Sequence, residues 1–302
     1  MVKKLAVAAI ILLVIGITGA IFTFKPYFFV QKQEEYRQID ANDIEHIEIK
    51  SNVANMHILP SNSEIIEVVW SNPNKKRNQI DVKVSEKNGT LDIQAKFKHR
   101  FRFLQLGPSS IDVDIKLPNK VFQSLEAKNN VGAIKIEDIA ADDMTVSNDT
   151  GSIRLKDITG KQLQVKNNVG AIKIENIATE DITVSNDTGK TVLKDVAGKQ
   201  LQVKTKIGEI ALTDTVGKLQ ASSDTGAISI STKKIEHDMH LETEIGSITI
   251  AVPTIPSDVS FDLHSEIGSV KAFGTKGSHI VSNAQALVKA TSSVGSIQVK
   301  EK

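Results

Sequence analysis

The amino-acid sequence predicts an all-β chain: a single-stranded parallel β-solenoid of about 19-residue coils behind one N-terminal transmembrane helix. Three observations predict it. Glycines recur at 132, 151, 170, 189, 208, 226, 246, 268 and 295, at spacings of 19, 19, 19, 19, 18, 20, 22 and 27. After each glycine, apolar and polar residues alternate, the period of a strand with one buried face. From Leu5 to Phe24 runs an uncharged, largely apolar stretch, which as a helix would cross roughly 30 Å of hydrocarbon.

The first element is that apolar stretch. Lys3 and Lys4 precede it, and Tyr27, Phe28 and Phe29 follow at interface depth. "FTFKPYFF" offers no small-x-small cleavage site, so residues 1–30 read as an uncleaved anchor. The lysines place the N-terminus in the cytoplasm and the body outside it, on a single-pass membrane protein. Residues 31–38 read as a polar stalk. Residues 39–124 hold strands without clean spacing and are expected to form an N-terminal cap and irregular coils. Within them "KSNVANMHI" parallels the later "KNNVGAIKI", with Ala54 in the glycine place.

Residues 125–251 are the regular repeats. Blocks 125–162 and 163–200 align without gaps, identical at 27 of 38 positions. Pro is absent from Asn119 to Val252, as paired strands require. Three before each glycine stands a small hydrogen-bonding residue, such as Asn148 or Ser223, expected to form a ladder bonded from coil to coil. One before it stands a β-branched residue, such as Val131 or Thr150, expected in the core. The column Glu137, Lys156, Glu175, Lys194 favours a 19-residue coil, because a 38-residue coil would stack Glu on Glu. Nine anchors then make a rod about 40 Å long. Residues 252–302, with Pro253, Pro256 and "GTKGSH", read as C-terminal coils and cap.

Composition excludes several functions. Lys and Arg total 37 against 36 Asp and Glu, so no basic field exists to hold nucleic acid. Without cysteine there is no disulfide, thiolate metal site or Cys nucleophile. Asp-Thr-Gly, the tripeptide of pepsin-like proteases, occurs at Asp149, Asp187 and Asp224, but it occupies the slot filled by Asn130-Val131-Gly132. Proteolysis needs two carboxylates sharing a proton, and Asp149 and Asp187 fall two coils apart, about 9.6 Å. Calcium on the same acids lacks the Gly-Gly-x-Gly-x-Asp repeat, and His237 with His240 makes a weak zinc pair. No catalytic residue, metal or cofactor is expected. The acidic column Asp138, Asp157, Asp195, Asp214 reads as a solvated face.

The most unusual local stretch is "KFKHRFRF", Lys96 to Phe103. As a strand it would carry aromatic residues on one face and Lys96, Lys98, Arg100 and Arg102 on the other. Those four are the candidate contact for anionic lipid or wall polymer. A cap strand with its phenylalanines in the core is the competing reading.

The columns "NxVGxIxI" and "DTGxIxI" resemble the bacterial adhesin-like β-strand-repeat family, over roughly Ile39 to Lys302. With the anchor, the chain is most similar to the membrane-anchored LiaG-type proteins of envelope-stress operons in Gram-positive bacteria. The resemblance implies a non-enzymatic binding or scaffold protein of the cell envelope and supplies no catalytic residues. Expected partners are the membrane, wall polymer, anionic lipid or another envelope protein. The alternatives are a glycan-active β-helix enzyme, which needs a carboxylate cluster in a groove, and a self-assembling filament, which needs uncapped ends.

Overall fold

The computed structural model describes residues 33–72, 80–97 and 112–302. The proposed anchor, Leu5–Phe24, lies outside them, as do Lys98, Arg100 and Arg102. Among the described residues there is no α-helix, and none long and apolar enough to cross a membrane.

The coil is 19 residues. Ile153 pairs with Ile134 on one side and Ile172 on the other; Leu163 pairs with Met144 and Ile182. All these pairings are parallel. Each coil has two strand segments, one before the turn glycine and one after it. In the Gly132 coil the second segment continues through a bend into the next coil's first segment, as Ile134–Thr150. The bend falls at Asp138, Asp157, Asn176, Asp195 and Asp214, all with φ between 49° and 54°. By sequence alone this column is a solvated charged face. It is foremost a backbone device, since Asp and Asn tolerate the left-handed region better than other side chains.

The interior is one aliphatic core. Ile134, Ile136, Met144 and Val146 represent four inward columns, repeated coil after coil. Aromatic residues are buried where the coils become irregular: Trp70 and Phe122 toward one end, Phe261 at the other. Thr191 stands in an isoleucine column yet is fully buried. Its hydroxyl accepts from Asn186 at 3.2 Å and lies 3.2 Å from Thr205 Oγ1, so its polar atom is satisfied.

The turn glycine is obligatory. At Gly170 φ is +135°, and an added Cβ would stand 1.9 Å from the carbonyl oxygen of Gly151 in the coil below. All the ladder residues but Thr205, which meets Thr191 instead, brace that same turn. Asn148 donates to Gly132 O at 2.8 Å, Asn167 to Gly151 O at 3.0 Å, and Thr243 to Gly226 O at 3.0 Å. The ladder thus runs from side chain to backbone, one coil down, rather than from side chain to side chain.

The ends depart from sequence order. At the N-terminal end the outermost coil is Thr90–Phe97 with Asp112–Pro118, stacked on His46–Val53 and Asn55–Ser61. The chain therefore forms the second coil, then the outermost, then the third at Val121–Val131. Antiparallel strands cover the outer edge: Ile80–Lys87 on one segment, Ile65–Asn72 and then Gln33–Asp40 on the other. The stalk reading of residues 31–38 is corrected here. From Gln33 on they are an edge strand, its alternation hidden by polar side chains because it covers a sheet edge.

At the C-terminal end, too, the stacking order departs from the sequence order. Ala286–Val294 pairs with Met239–Ile245 on one side and Val259–Ile267 on the other. The last coil in sequence is thus inserted between two earlier ones, and Gly268 lies over Gly295. The hairpin Lys271–Lys276 and the bridge Phe261–His279 cover the outer edge. Nine glycine coils, the Ala54 coil and the Thr90–Pro118 coil make eleven. Ten steps of about 4.8 Å make a rod of roughly 48 Å.

Candidate binding surfaces

The turn column creates the most conspicuous surface. The residue before each glycine should point inward by alternation, yet it turns outward as the backbone enters the turn. Val131 is 46% exposed, Val169 50%, Ile207 57%, Ile245 56%, Val294 44% and Ile267 67%. The expectation that this β-branched column belongs to the core is therefore wrong. These residues, with Thr150, Thr188 and Thr225 between them, form an exposed ridge along one edge of the rod.

Charge on the ridge's flank is uneven. In the strand segment before the turn, Lys128, Lys166, Lys204 and Lys206 lie beside the ridge's valines and Ile207, and Asp149, Asp187 and Asp224 beside its threonines. In the last three coils no Lys or Arg stands within three residues before the turn, while Glu242, Glu244 and Glu266 do or lie one position beyond. Elsewhere, charges are paired within the rod. Lys161 bonds Asp142 at 2.8 Å and Lys199 bonds Glu180 at 2.6 Å, along one corner column. The Glu137, Lys156, Glu175, Lys194 column has the expected register. Its shortest ion pairs run along the strand instead, Lys135–Glu137 at 2.8 Å and Lys173–Glu175 at 2.9 Å. A hydrogen bond from Lys173 holds the Glu175 carboxyl below its ordinary value against partial burial, and Lys173, Lys194 and Arg154 add attraction.

Of the candidate contact residues, Lys96 is exposed at the end of strand Thr90–Phe97, opposite Asp81. Residues 98–111, between Phe97 and Asp112 in sequence, lie outside the described residues. The outermost coil and the strand Gln33–Asp40 share one end of the rod. Lys96 therefore lies at the end where the chain enters.

The Asp-Thr-Gly carboxylates do not converge in the structure. Asp149 is bonded by Asn168 at 2.9 Å and Asp187 by Lys206 at 3.0 Å, in turns two coils apart. Both acids are bonded to neighbours of the same column. No group of three metal-binding side chains is found among the described residues. A depression of about 350 Å³ lined by Gln202, Gln220 and His240 contains one carboxylate, Asp238. Another of about 420 Å³ near Asn42 and Lys120 contains only Glu64. Glycoside hydrolysis ordinarily uses two carboxylates across the scissile bond. His46 Nδ1 and Ser124 Oγ lie 2.8 Å apart, outside both depressions.

The profile of one protein family matches residues 44–301, nearly the whole solenoid. The chain belongs to the Toastrack DUF4097 family. Solved structures resemble the chain at low identity. A protein provisionally named lipid-binding, from Parabacteroides distasonis, aligns with a TM-score of 0.51 at 13% identity, over 89% of this chain and 97% of its own. A provisionally named adhesin from Bacteroides fragilis aligns at 0.45 and 12%, over 89% and 98%. A provisionally named cell adhesion protein from Clostridium sporogenes aligns at 0.33 and 13%, over 90% and 100%. No curated protein matches the chain.

Proposed function

We propose that the chain is a non-enzymatic, adhesin-like binding or scaffold protein of the bacterial cell envelope. Residues 1–30 hold it in the membrane, and the solenoid stands outside the cytoplasm as a rigid spacer. The observation that carries this reading is the outer surface of the rod. Its distinctive features are columns repeated every coil, suited to extended contact, while the two depressions among the described residues each hold a single carboxylate. Family membership supports the same reading, with adhesin names attached to two fold relatives.

Lys96, Lys98, Arg100 and Arg102 supply a contact for anionic lipid headgroups or wall polymer. Lys96 is exposed at the end where the chain arrives from the anchor, so the stretch would face the membrane side. Kinship with LiaG-type proteins and a role in envelope stress belong to this reading.

Protease added to intact protoplasts tests the topology. The body should be digested from outside, and a protected body overturns the proposal. Gln at all four basic positions should weaken binding to anionic vesicles and leave the weak binding to zwitterionic ones unchanged; equal binding to anionic vesicles removes that contact.

A further inference from the structure

We propose that the depression lined by Gln200, Gln202, Gln220 and His240 binds a neutral saccharide, laid along the rod. It lies on the strand segments before the turn, over the Gly208, Gly226, Gly246 and Gly295 coils. It is separate from the basic stretch and needs no anionic partner, so it goes beyond the function proposed above.

A local fault in the repeat opens the site. The Gly226 coil has 18 residues where its predecessors have 19. The residue is lost at the corner, where the register shifts between Ala197 and Gln200. Gly217 turns that corner at a φ of +129°, and a Cβ there would stand 2.1 Å from the Gly198 oxygen. The corner column of charged side chains that runs to Lys199 therefore has no member on this coil. Beside the gap lies a depression of about 350 Å³. That volume falls in the range of small-molecule sites, about 300–1,000 Å³. Four coils give it a length of about 14 Å, enough for an extended oligosaccharide rather than a single ring.

The lining suits hydroxyl groups. Each glutamine offers two N–H donors and a carbonyl acceptor, and a sugar hydroxyl both donates and accepts. The side chains of Gln200, Gln202 and Gln220 make no hydrogen bond within the described chain, whereas Gln94 and Gln123 are bonded to Asp92 and Glu45. Leu219 and Met239 form the floor between the two polar columns, and Leu287, 44% exposed, closes one end. These apolar groups match the C–H face of a sugar ring. No aromatic side chain lines the depression, so a stacked base or aromatic ring finds no partner there.

Charge selects a neutral ligand. The lining holds Lys218, Lys289 and Asp238. The positions that border it add Lys199 and Lys204 against Asp181, Glu242 and Asp262. Four cations thus face four carboxylates, and no net field draws an ion of either sign. Asp238 is already engaged, since its Oδ1 accepts the Leu287 N–H at 2.9 Å.

Binding of chitotriose, a neutral trimer of N-acetylglucosamine, to the full-length chain tests the proposal. Calorimetry in a polyoxyethylene detergent avoids sugar headgroups. Chitotriose should bind, and the glucosamine trimer and trigalacturonate should each bind about threefold more weakly or worse. Gln220→Ala and Gln202→Ala should each weaken chitotriose about threefold or more. Gln164→Ala, in the same column but outside the depression, should change nothing. Gln at Lys96, Lys98, Arg100 and Arg102 together should also leave chitotriose binding intact, whatever it does to anionic vesicles. No binding of chitotriose overturns the proposal. A charged trimer that binds as tightly overturns the neutral assignment. Equal losses in Gln220→Ala and Gln164→Ala, or loss in the variant of the basic stretch, place the sugar elsewhere and overturn the site.

Discussion

In the middle of the rod, order in sequence is order in space; at both ends it is not. From Gly132 to Gly226 each coil stacks on its predecessor, because a one-glycine turn leaves no slack to skip a level. At the ends, longer connections allow the chain to pass over a coil and return. The N-terminal end interposes the Thr90–Pro118 coil outside a coil already made, and the C-terminal end slides Ala286–Glu301 between two. Both ends then cover the outer strand with antiparallel segments, which blunts end-to-end pairing. Regular turns thus propagate the rod, and irregular connections stop it.

The sharpest break in this comparison is removal of the C-terminal coil. A chain ending at residue 285 should lose support on both sides of the gap, at Met239–Val252 and at Val259–Ala272. We expect a fall of about 4 kcal/mol or more in unfolding free energy. Hydrogen exchange should show both coils unprotected while Ile153–Thr188 stays protected. Next comes the turn itself. Gly170→Val should cost about 3–5 kcal/mol in urea denaturation, from the clash with Gly151 O and the left-handed φ together. Gly274→Ala, in the open cap hairpin, should cost about 1 kcal/mol, since nothing stands near its added Cβ.

Smaller effects sharpen the contrast. Asn167→Leu should cost about 1–3 kcal/mol by leaving Gly151 O without its donor in a buried site. Ser223→Ala should cost less, as its bond to Gly208 O is 3.3 Å long. Asp157→Ala should cost about 1 kcal/mol for its left-handed backbone, and Asp157→Asn almost nothing. Least of all is the Glu175 carboxylate. Its pKa is lower folded than unfolded, so its contribution is full above its ordinary value of 4.5 and lost as pH falls through the folded value. Glu175→Gln should remove a few tenths of a kcal/mol of that pH dependence, read from melting at pH 7 and pH 3.

The middle was legible in the sequence because one rule fixes it. Gly151, Asn148 and Ile153 each recur in place, and each states its own role. Val131 and Thr150 were not legible as surface, because alternation assigns them inward and only the turn's rotation brings them out. Asp138 and Asp157 read as charge because nothing in a side chain announces a φ. The inserted C-terminal coil was hidden since Gly268 and Gly295 fit the same template, and only strand pairing decides which lies beneath the other. Of the candidate contact, Lys96 alone falls among the described residues, so the surface that emerged is one the sequence had folded into the core.

The corner column Asp142, Lys161, Glu180, Lys199 alternates in sign from coil to coil. It follows that the rod's length is quantised in pairs. Deleting one coil would bring Asp142 beside Glu180, whereas deleting two keeps every sign alternating. Residues 125–162 and 163–200 are near-copies of such a two-coil unit. Recombination between them would shorten the spacer by about 9.6 Å, or lengthen it by the same step, and keep the signs of this column alternating.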